Sequence, residues 1–271
     1  MPVQDVLRSK PAHLLLVVAC LSGSSGCASA PLRSVAPLVS PPGHRVPLVG
    51  PINTIVLDAG HGGHDPGASH FGLKEKHLTL DIVKHLRVRL REEGLTVVMT
   101  RESDRFIPLS GRPNLANRLL ANLFVSVHVN ANSHRHISGV EVYFPRVSEI
   151  PPTAPWPPSV SLTEVGIPSM TVKQALWDLV LWRTRAQSRR LAASICQSMR
   201  RELRVACRGT RPARFVVLRE AWMPAVLVEV GYMTNQAEAA RLGTPAYRQA
   251  ISQAIADGIV SYLGDAGAQH I

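Results

Sequence analysis

Apolar residues in this chain recur in two rhythms that alternate from about residue 52 onward. Short unbroken apolar runs read as buried strands, and apolar residues three or four apart read as helix faces. Thr54-Ile55-Val56-Leu57 is such a run, ending in Asp58-Ala59-Gly60. Glu75 to Glu92 carries Leu78, Ile82, Leu86 and Leu90 at helical spacing, and Gly94 closes it. Leu95 to Thr100 predicts a second strand. Leu109 to Ala121 predicts a helix with Leu115, Leu119 and Leu120 on its apolar side. Leu123 to Val129 and Gly139 to Phe144 predict two more strands. Thr171 to Arg204 reads as one long helix or two joined ones. Phe215 to Leu218 and Ala225 to Val230 read as strands, and Gln236 to Leu242 and Tyr247 to Leu263 as closing helices. The alternation predicts an α/β layered domain with a mostly parallel central sheet flanked by helices. In such sheets ligands bind at the carboxyl ends of the strands.

Before this domain the pattern changes. Arg8 and Lys10 precede a short apolar stretch, His13 to Leu21, and small residues follow. That is the layout of an export leader over residues 1–30, too short for a membrane span. Two processing readings compete. Ala28-Ser29-Ala30 suits cleavage to a soluble product, whereas Gly26-Cys27 resembles a lipobox that would leave a lipid anchor on Cys27. Residues 31–51, with Pro41-Pro42-Gly43, read as a Pro-rich linker, and residues 52–266 as one catalytic domain. Pro145 to Ser169 is Pro-rich, irregular and long for a loop, which marks it as functional or disordered.

Charge adds one feature. The chain carries a formal +11, supplied mostly by Arg, and such a surface favours polyanions. With aromatics at 5% there is no basic stretch interleaved with stacking rings, so nucleic acid is not an expected partner. Cys196 and Cys207 lie eleven positions apart, in or beside a predicted helix. An unbroken helix would separate them by roughly 16 Å, against the limit of roughly 7 Å between Cα atoms for a disulfide. They read as free thiols unless the helix ends before Cys207.

The polar residues at the strand ends carry the chemistry. Strand one runs into Asp58-Ala59-Gly60-His61-Gly62-Gly63-His64-Asp65-Pro66-Gly67. The third strand reads Val125-Ser126-Val127-His128-Val129-Asn130, and the last reads Val226-Leu227-Val228-Glu229. Glu75 begins the first helix. Two histidines and a carboxylate with an open fourth position form a catalytic zinc set, and a further carboxylate can serve as general base. The glycine spacing fits neither phosphate-binding motif. A histidine at a strand end is often a satisfied loop or core residue; three coincident strand-end groups weaken that reading without removing it. Asp58 either orients His61 or is a structural strand-end carboxylate. His64, His70, His77, His85, His134 and His136 fall on loops or helix surfaces and are not expected to ligate. Glu141, inside a strand, reads as structural or substrate-facing.

The ordered motifs resemble a known family. Ile55 to Gly63 with Asp65-Pro66-Gly67-Ala68 looks like the opening motif of the zinc-dependent N-acetylmuramoyl-L-alanine amidases of the Amidase_3 type. Gly72-Leu73-Lys74-Glu75-Lys76, Thr100-Arg101-Glu102-Ser103-Asp104, Leu109-Ser110-Gly111-Arg112, Ser126 to Ala131, Gly139 to Tyr143 and Pro224 to Asn235 follow in the same order. The resemblance implies that His61, Glu75 and His128 bind Zn2+ and that Glu229 is the catalytic carboxylate. It further implies cleavage of the peptidoglycan amide between N-acetylmuramic acid and L-alanine. Asn130 is a candidate for orienting substrate. Some members of the family carry a segment that covers the zinc until a partner displaces it. The 145–178 insert is the corresponding candidate here, with Trp177, Leu181 and Trp182 as a docking face for an activator protein and Glu149, Glu164 or Asp178 as a plug. The competing functions are another zinc hydrolase of cell-wall peptides and a non-catalytic peptidoglycan-binding protein.

Overall fold

The apolar runs assemble into a six-stranded mixed sheet in the computed structural model, which describes residues 53–146 and 170–268. Strands are β1 (Thr54–Ala59), β2 (Ser69–His70), β3 (Leu73–Lys74), β4 (Thr96–Met99), β5 (Leu123–Asn130), β6 (Val140–Pro145), β7 (Cys207–Ala213) and β8 (Ala225–Tyr232). Helices are α1 (Glu75–Glu92), α2 (Gly111–Arg118), α3 (Met170–Leu203), α4 (Val216–Arg219), α5 (Gln236–Leu242) and α6 (Pro245–Ala268). The sheet order is β4-β1-β5-β8-β6-β7, and β2 pairs with β3 in a separate hairpin. β4, β1, β5 and β8 are parallel neighbours. β6 runs antiparallel to β8 and holds β7 parallel at the far edge.

Alternation along each strand divides the core between two faces. Ile55, Leu57, Val125 and Val127 pack with Leu78, Ile82 and Leu86 of α1, Ile195 of α3 and Ile255 of α6. Val56, Phe124 and Leu227 face the other way, against Ala116 of α2 and Val217 and Leu218 of α4. The parallel strands β5 and β8 end side by side at Asn130 and Tyr232, and β1 stops at the level of Val127. β1 connects through α1 to β4 on one side, while β5 pairs on its other side, so the crevice opens between the ends of β1 and β5.

Several expectations are corrected. Phe215 to Leu218 is not a strand: Phe215 caps the short helix α4, whose Val217 and Leu218 are buried. A short apolar run does not by itself distinguish a strand from a buried helical turn. β7 was not expected, because an exposed edge strand rich in Arg, Gly and Pro lacks an apolar signature. In α2 the buried residues are Arg112, Pro113, Ala116 and Asn117, whereas Leu119 and Leu120 are exposed beyond its end. Its polar side chains turn inward because partners await them: Arg112 meets Asp58, and Asn117 meets the backbone of Glu220 and Trp222.

For the cysteines the exception applies, because the helix ends before Cys207. α3 ends at Leu203, Arg204 takes a left-handed φ of 53°, and the chain doubles back into β7. Cys196 and Cys207 are thereby brought to a Cα separation of 5.8 Å and form a disulfide. Within α3, Leu181 is buried while Trp182 is exposed, so the two do not share an outer docking face. The leader, the linker up to residue 51 and residues 147–169, including Cys27, Glu149 and Glu164, lie outside the described residues. Among the described residues, no helix is long and apolar enough to cross a membrane.

Candidate metal centre

The loop after β1 is held by two buried arginines. Arg101 donates to the carbonyls of Ala59 and Gly60, and Arg112 to those of Ala59 and His61. A glycine-rich turn leaves carbonyls unpaired, and these guanidiniums satisfy them where water is excluded. Arg112 also forms a fully buried ion pair with Asp58 at 2.9 Å. Asp58 accepts from Thr100 and Ser126 as well. It is therefore the structural anchor of the loop, not the partner of the His61 ring. That partner is Asp65, whose Oδ2 lies 2.8 Å from His61 Nδ1.

His61 itself adopts φ 61°, a left-handed conformation uncommon outside glycine. Its Nε2 turns toward Glu75, the first residue of α1, at 3.1 Å from Oε1. The same oxygen lies 3.0 Å from His128 Nδ1 and accepts from the Val129 N–H. Oε2 accepts from the Ala68 N–H. Donor atoms of His61, Glu75 and His128 all lie within 4.8 Å of one another, and among the described residues these three form the one such cluster. Two imidazoles and one carboxylate at this spacing suit a divalent cation and leave room in its coordination sphere. His134 contacts Asn132, Ser133 and the His136 ring, and His64 packs on Phe106, so neither joins the cluster.

Packing is tight enough to exclude any larger residue in the turn. A Cβ on Gly60 would come within 2.6 Å of three His128 ring atoms. One on Gly67, at φ 65°, would come within 2.8 Å of both Glu75 and His61.

Electrostatics match this geometry. Burial works against the Glu75 carboxylate, but the hydrogen bonds from His128 and His61 hold it well below the usual range. Burial also lowers the His61 pKa, yet Glu75 and Asp65 outweigh it and leave the imidazole above its ordinary value.

A row of side chains crosses the sheet beside this cluster. In register, His128 of β5 stands beside Glu229 of β8, which stands beside Glu141 of β6. Glu229 is half-buried overall, but its Oε2 is fully buried and has no hydrogen-bond partner. Burial, then Glu75, then Glu141 push its proton affinity well above that of an ordinary carboxyl. Glu141 is almost wholly buried and accepts from the Tyr143 hydroxyl at 2.7 Å and from Asn130 Nδ2 at 3.3 Å. Burial and Glu141 push the Tyr232 phenol up to about 12. Asn130 is committed at both ends, since its Oδ1 accepts from the Ala131 N–H. Sequence reasoning missed Asp65 and the full role of Glu141. A carboxylate four residues after a candidate ligand histidine, within the same turn, was the available signal for Asp65.

The chain is similar to known proteins over most of its length. Residues 55–261 match the family model described as N-acetylmuramoyl-L-alanine amidase. Amidase AmiA of Escherichia coli K12 is 36% identical over 235 residues, covering 82% of this chain and 81% of that protein. Amidase LytC of Bacillus subtilis is 35% identical over 80% of this chain and 36% of its own length. Among solved structures, AmiC2 of Nostoc punctiforme matches with a TM-score of 0.61 and 32% identity, over 78% of this chain and 97% of that one. The CwlD amidase of Clostridioides difficile, solved in complex with the GerS lipoprotein, matches with a TM-score of 0.62 and 26% identity, over 78% and 98%. With its fold and its sequence in agreement with these proteins over more than 200 residues, the chain belongs to the N-acetylmuramoyl-L-alanine amidases.

Proposed function

We propose that His61, Glu75 and His128 hold a zinc ion and that Glu229 moves the proton as this amidase cuts the link between N-acetylmuramic acid and the L-alanine of the peptidoglycan stem peptide. The observation that carries this reading is the convergence of three donors within 4.8 Å beside a buried, unpartnered carboxylate oxygen. A bound zinc supplies Lewis acidity, which polarises a carbonyl and acidifies water. Glu75 holds both imidazoles in position, and Asp65 fixes the ring of His61 through Nδ1, the arrangement that keeps Nε2 as the donor. Glu229 accepts a proton from the attacking water at Oε2. Once protonated, it delivers that proton to the departing alanine nitrogen. The C–N bond breaks, a C–O bond forms, and the proton passes from water to the amine.

The setting of this reaction is inferred from the chain's own features. The leader-like residues 1–30 and the Cys196–Cys207 disulfide both fit export to an oxidising cell envelope, and Cys27 is the candidate lipid attachment point. The GerS complex is a property of CwlD; by analogy, an activator protein acts here through the 145–178 insert. Deleting Val147 to Pro168 then raises basal turnover, and unchanged or lost turnover argues against an inhibitory insert.

The mature protein should be tested on purified wall with and without chelator, followed by mass spectrometry. Release of stem peptides with an L-Ala amino terminus and intact glycans supports the reading. Cleavage that survives chelation, or full activity in Glu229→Ala, overturns the mechanism. Release of single amino acids from the stem would instead identify a peptidase.

A further inference from the structure

The charged row on the sheet does not stop at Glu141. β7 is the next strand, and a bulge between Val140 and Val142 sets one extra β7 residue opposite them. Cys207 turns toward α3, where it bonds Cys196, and Arg208 turns the other way, placing its Nε 3.4 Å from Glu141 Oε1. Arg211, in register with Tyr143, brings an Nη to 3.7 Å from the same oxygen. Both separations exceed a good hydrogen bond. Each guanidinium has five N–H donors, and the side chains are 37% and 53% exposed.

Charge is unbalanced at this point. Two guanidiniums face one buried carboxylate. Glu238, the other acidic group acting on Arg208, is already engaged by Arg241 and by the N–H groups of Gly139 and Tyr232. One positive charge is left to face solvent at the edge of the site. We propose that Arg208 and Arg211 form a subsite for a free carboxylate of the stem peptide, on the leaving-amine side of the bond that is cut. This rests on the hydrolysis reading above and adds a preference between stem peptides to it.

The dimensions agree. β7 lies two strand spacings from the Glu229 strand, about 10 Å. An extended peptide advances about 3.3–3.6 Å per residue, so a carboxylate two or three residues beyond the cut amide reaches the pair. Arginine suits the task because its planar fork matches a carboxylate, and the Glu141 charge draws both guanidiniums to one place. An arginine-rich surface alone does not account for the arrangement. These two side chains converge on a buried acid that stands in register with Glu229, whereas Arg200 on α3 sits on the exposed outer side.

The test compares two substrates in which the D-Glu γ-carboxyl is blocked as an amide: disaccharide-L-Ala-D-Glu with a free α-carboxylate, and the same molecule with the α-carboxylate amidated as well. For the wild type the acid should be preferred by about ten-fold in kcat/KM, mostly through KM, and the preference should shrink as salt is raised. Arg208→Gln and Arg211→Gln should each reduce the ratio, and the double variant should bring it close to one. The double Lys variant should recover part of it, and Arg200→Gln should leave it as in the wild type. Zinc content and thermal midpoint identify any variant that has not folded, in which case Arg211→Gln, the more exposed position, decides. Equal cleavage of acid and amide by the wild type, or a preference that survives in folded Arg211→Gln and the double variant, overturns the subsite while leaving the amidase reading intact. Cleavage of neither substrate counts against the hydrolysis reading itself and removes the subsite with it.

Discussion

Gly67 offers a direct test of how the turn supports the metal centre, because Gly72 provides a matched control. Both residues are left-handed, with φ of 65° and 76°. Alanine at either position incurs the same conformational penalty, about 1–2 kcal/mol for an L-residue. The surroundings differ. At Gly72 nothing lies within 4 Å of the added Cβ, whereas at Gly67 it would sit 2.5 Å from Glu75 Oε2 and 2.7 Å from His61 Cδ2. Ordinary contact begins at 3.4 Å, so two of the three proposed ligands must each yield by most of an ångström. Displacing the carboxylate also strains its bonds to Ala68 N–H and Val129 N–H. Gly72→Ala should therefore cost stability alone. Gly67→Ala should lose a similar stability and, in addition, at least ten- to hundred-fold in zinc affinity, the scale seen when groups orienting a ligand are disturbed. Zinc competition against a chromophoric chelator measures the affinity, and thermal melts of the metal-free proteins measure the stability. If both variants bind zinc as the wild type does, the turn is not what shapes the site. If both lose zinc equally, the left-handed conformation rather than the clash is responsible.

Three further outcomes follow from the same geometry. Replacing Cys196 and Cys207 by Ser removes a cross-link across 11 residues, and chain-entropy arithmetic for so short a loop puts the loss at about 3 kcal/mol. For a domain of this size that is roughly 6–12 °C in thermal midpoint, and a melt unchanged by substitution or reductant would contradict it. Glu229 keeps its proton in the folded metal-free protein at pH values where the unfolded chain, with an ordinary carboxyl, has already released it. Its contribution to stability therefore falls as pH rises from about 4.5 toward the folded pKa. Glu229→Gln should abolish turnover yet raise the metal-free melting temperature at neutral pH, with the gain vanishing near pH 4; an equal or lower midpoint at pH 7 would refute the assignment. Asp58→Ala strands the buried Arg112 guanidinium and should cost about 3–5 kcal/mol, measured by urea unfolding; a loss under 1 kcal/mol would show that the pair is not the anchor of the loop.

Much of the site was legible because its residues lie beyond or in the later half of apolar strands, or at the start of a helix. The period of the chain located β1, β5 and β8, and thereby placed His61 just beyond β1 and His128 and Glu229 in the carboxyl-terminal halves of β5 and β8. Helical spacing put the start of α1 at Glu75. Local pattern expresses which face is buried and where an element stops, and these four positions depend on little else. The motifs then supplied the chemistry by resemblance.

Tertiary structure decided what depends on which elements become neighbours. Asp58 and Asp65 are both acids flanking the same turn, and only the packing of Arg112 from α2 claims Asp58 for the interior and leaves Asp65 to the His61 ring. The fate of Cys196 and Cys207 turned on a helix end and one left-handed residue, Arg204. β7, whose residues are half-buried or exposed, has no apolar rhythm, so its place at the edge of the sheet was invisible along the chain. That place matters for the site, because it completes a row running from His128 through Glu229 and Glu141 to Arg208 and Arg211. Residues from four separate strands meet there through sheet order and register, and neither is encoded in the local alternation of apolar and polar positions.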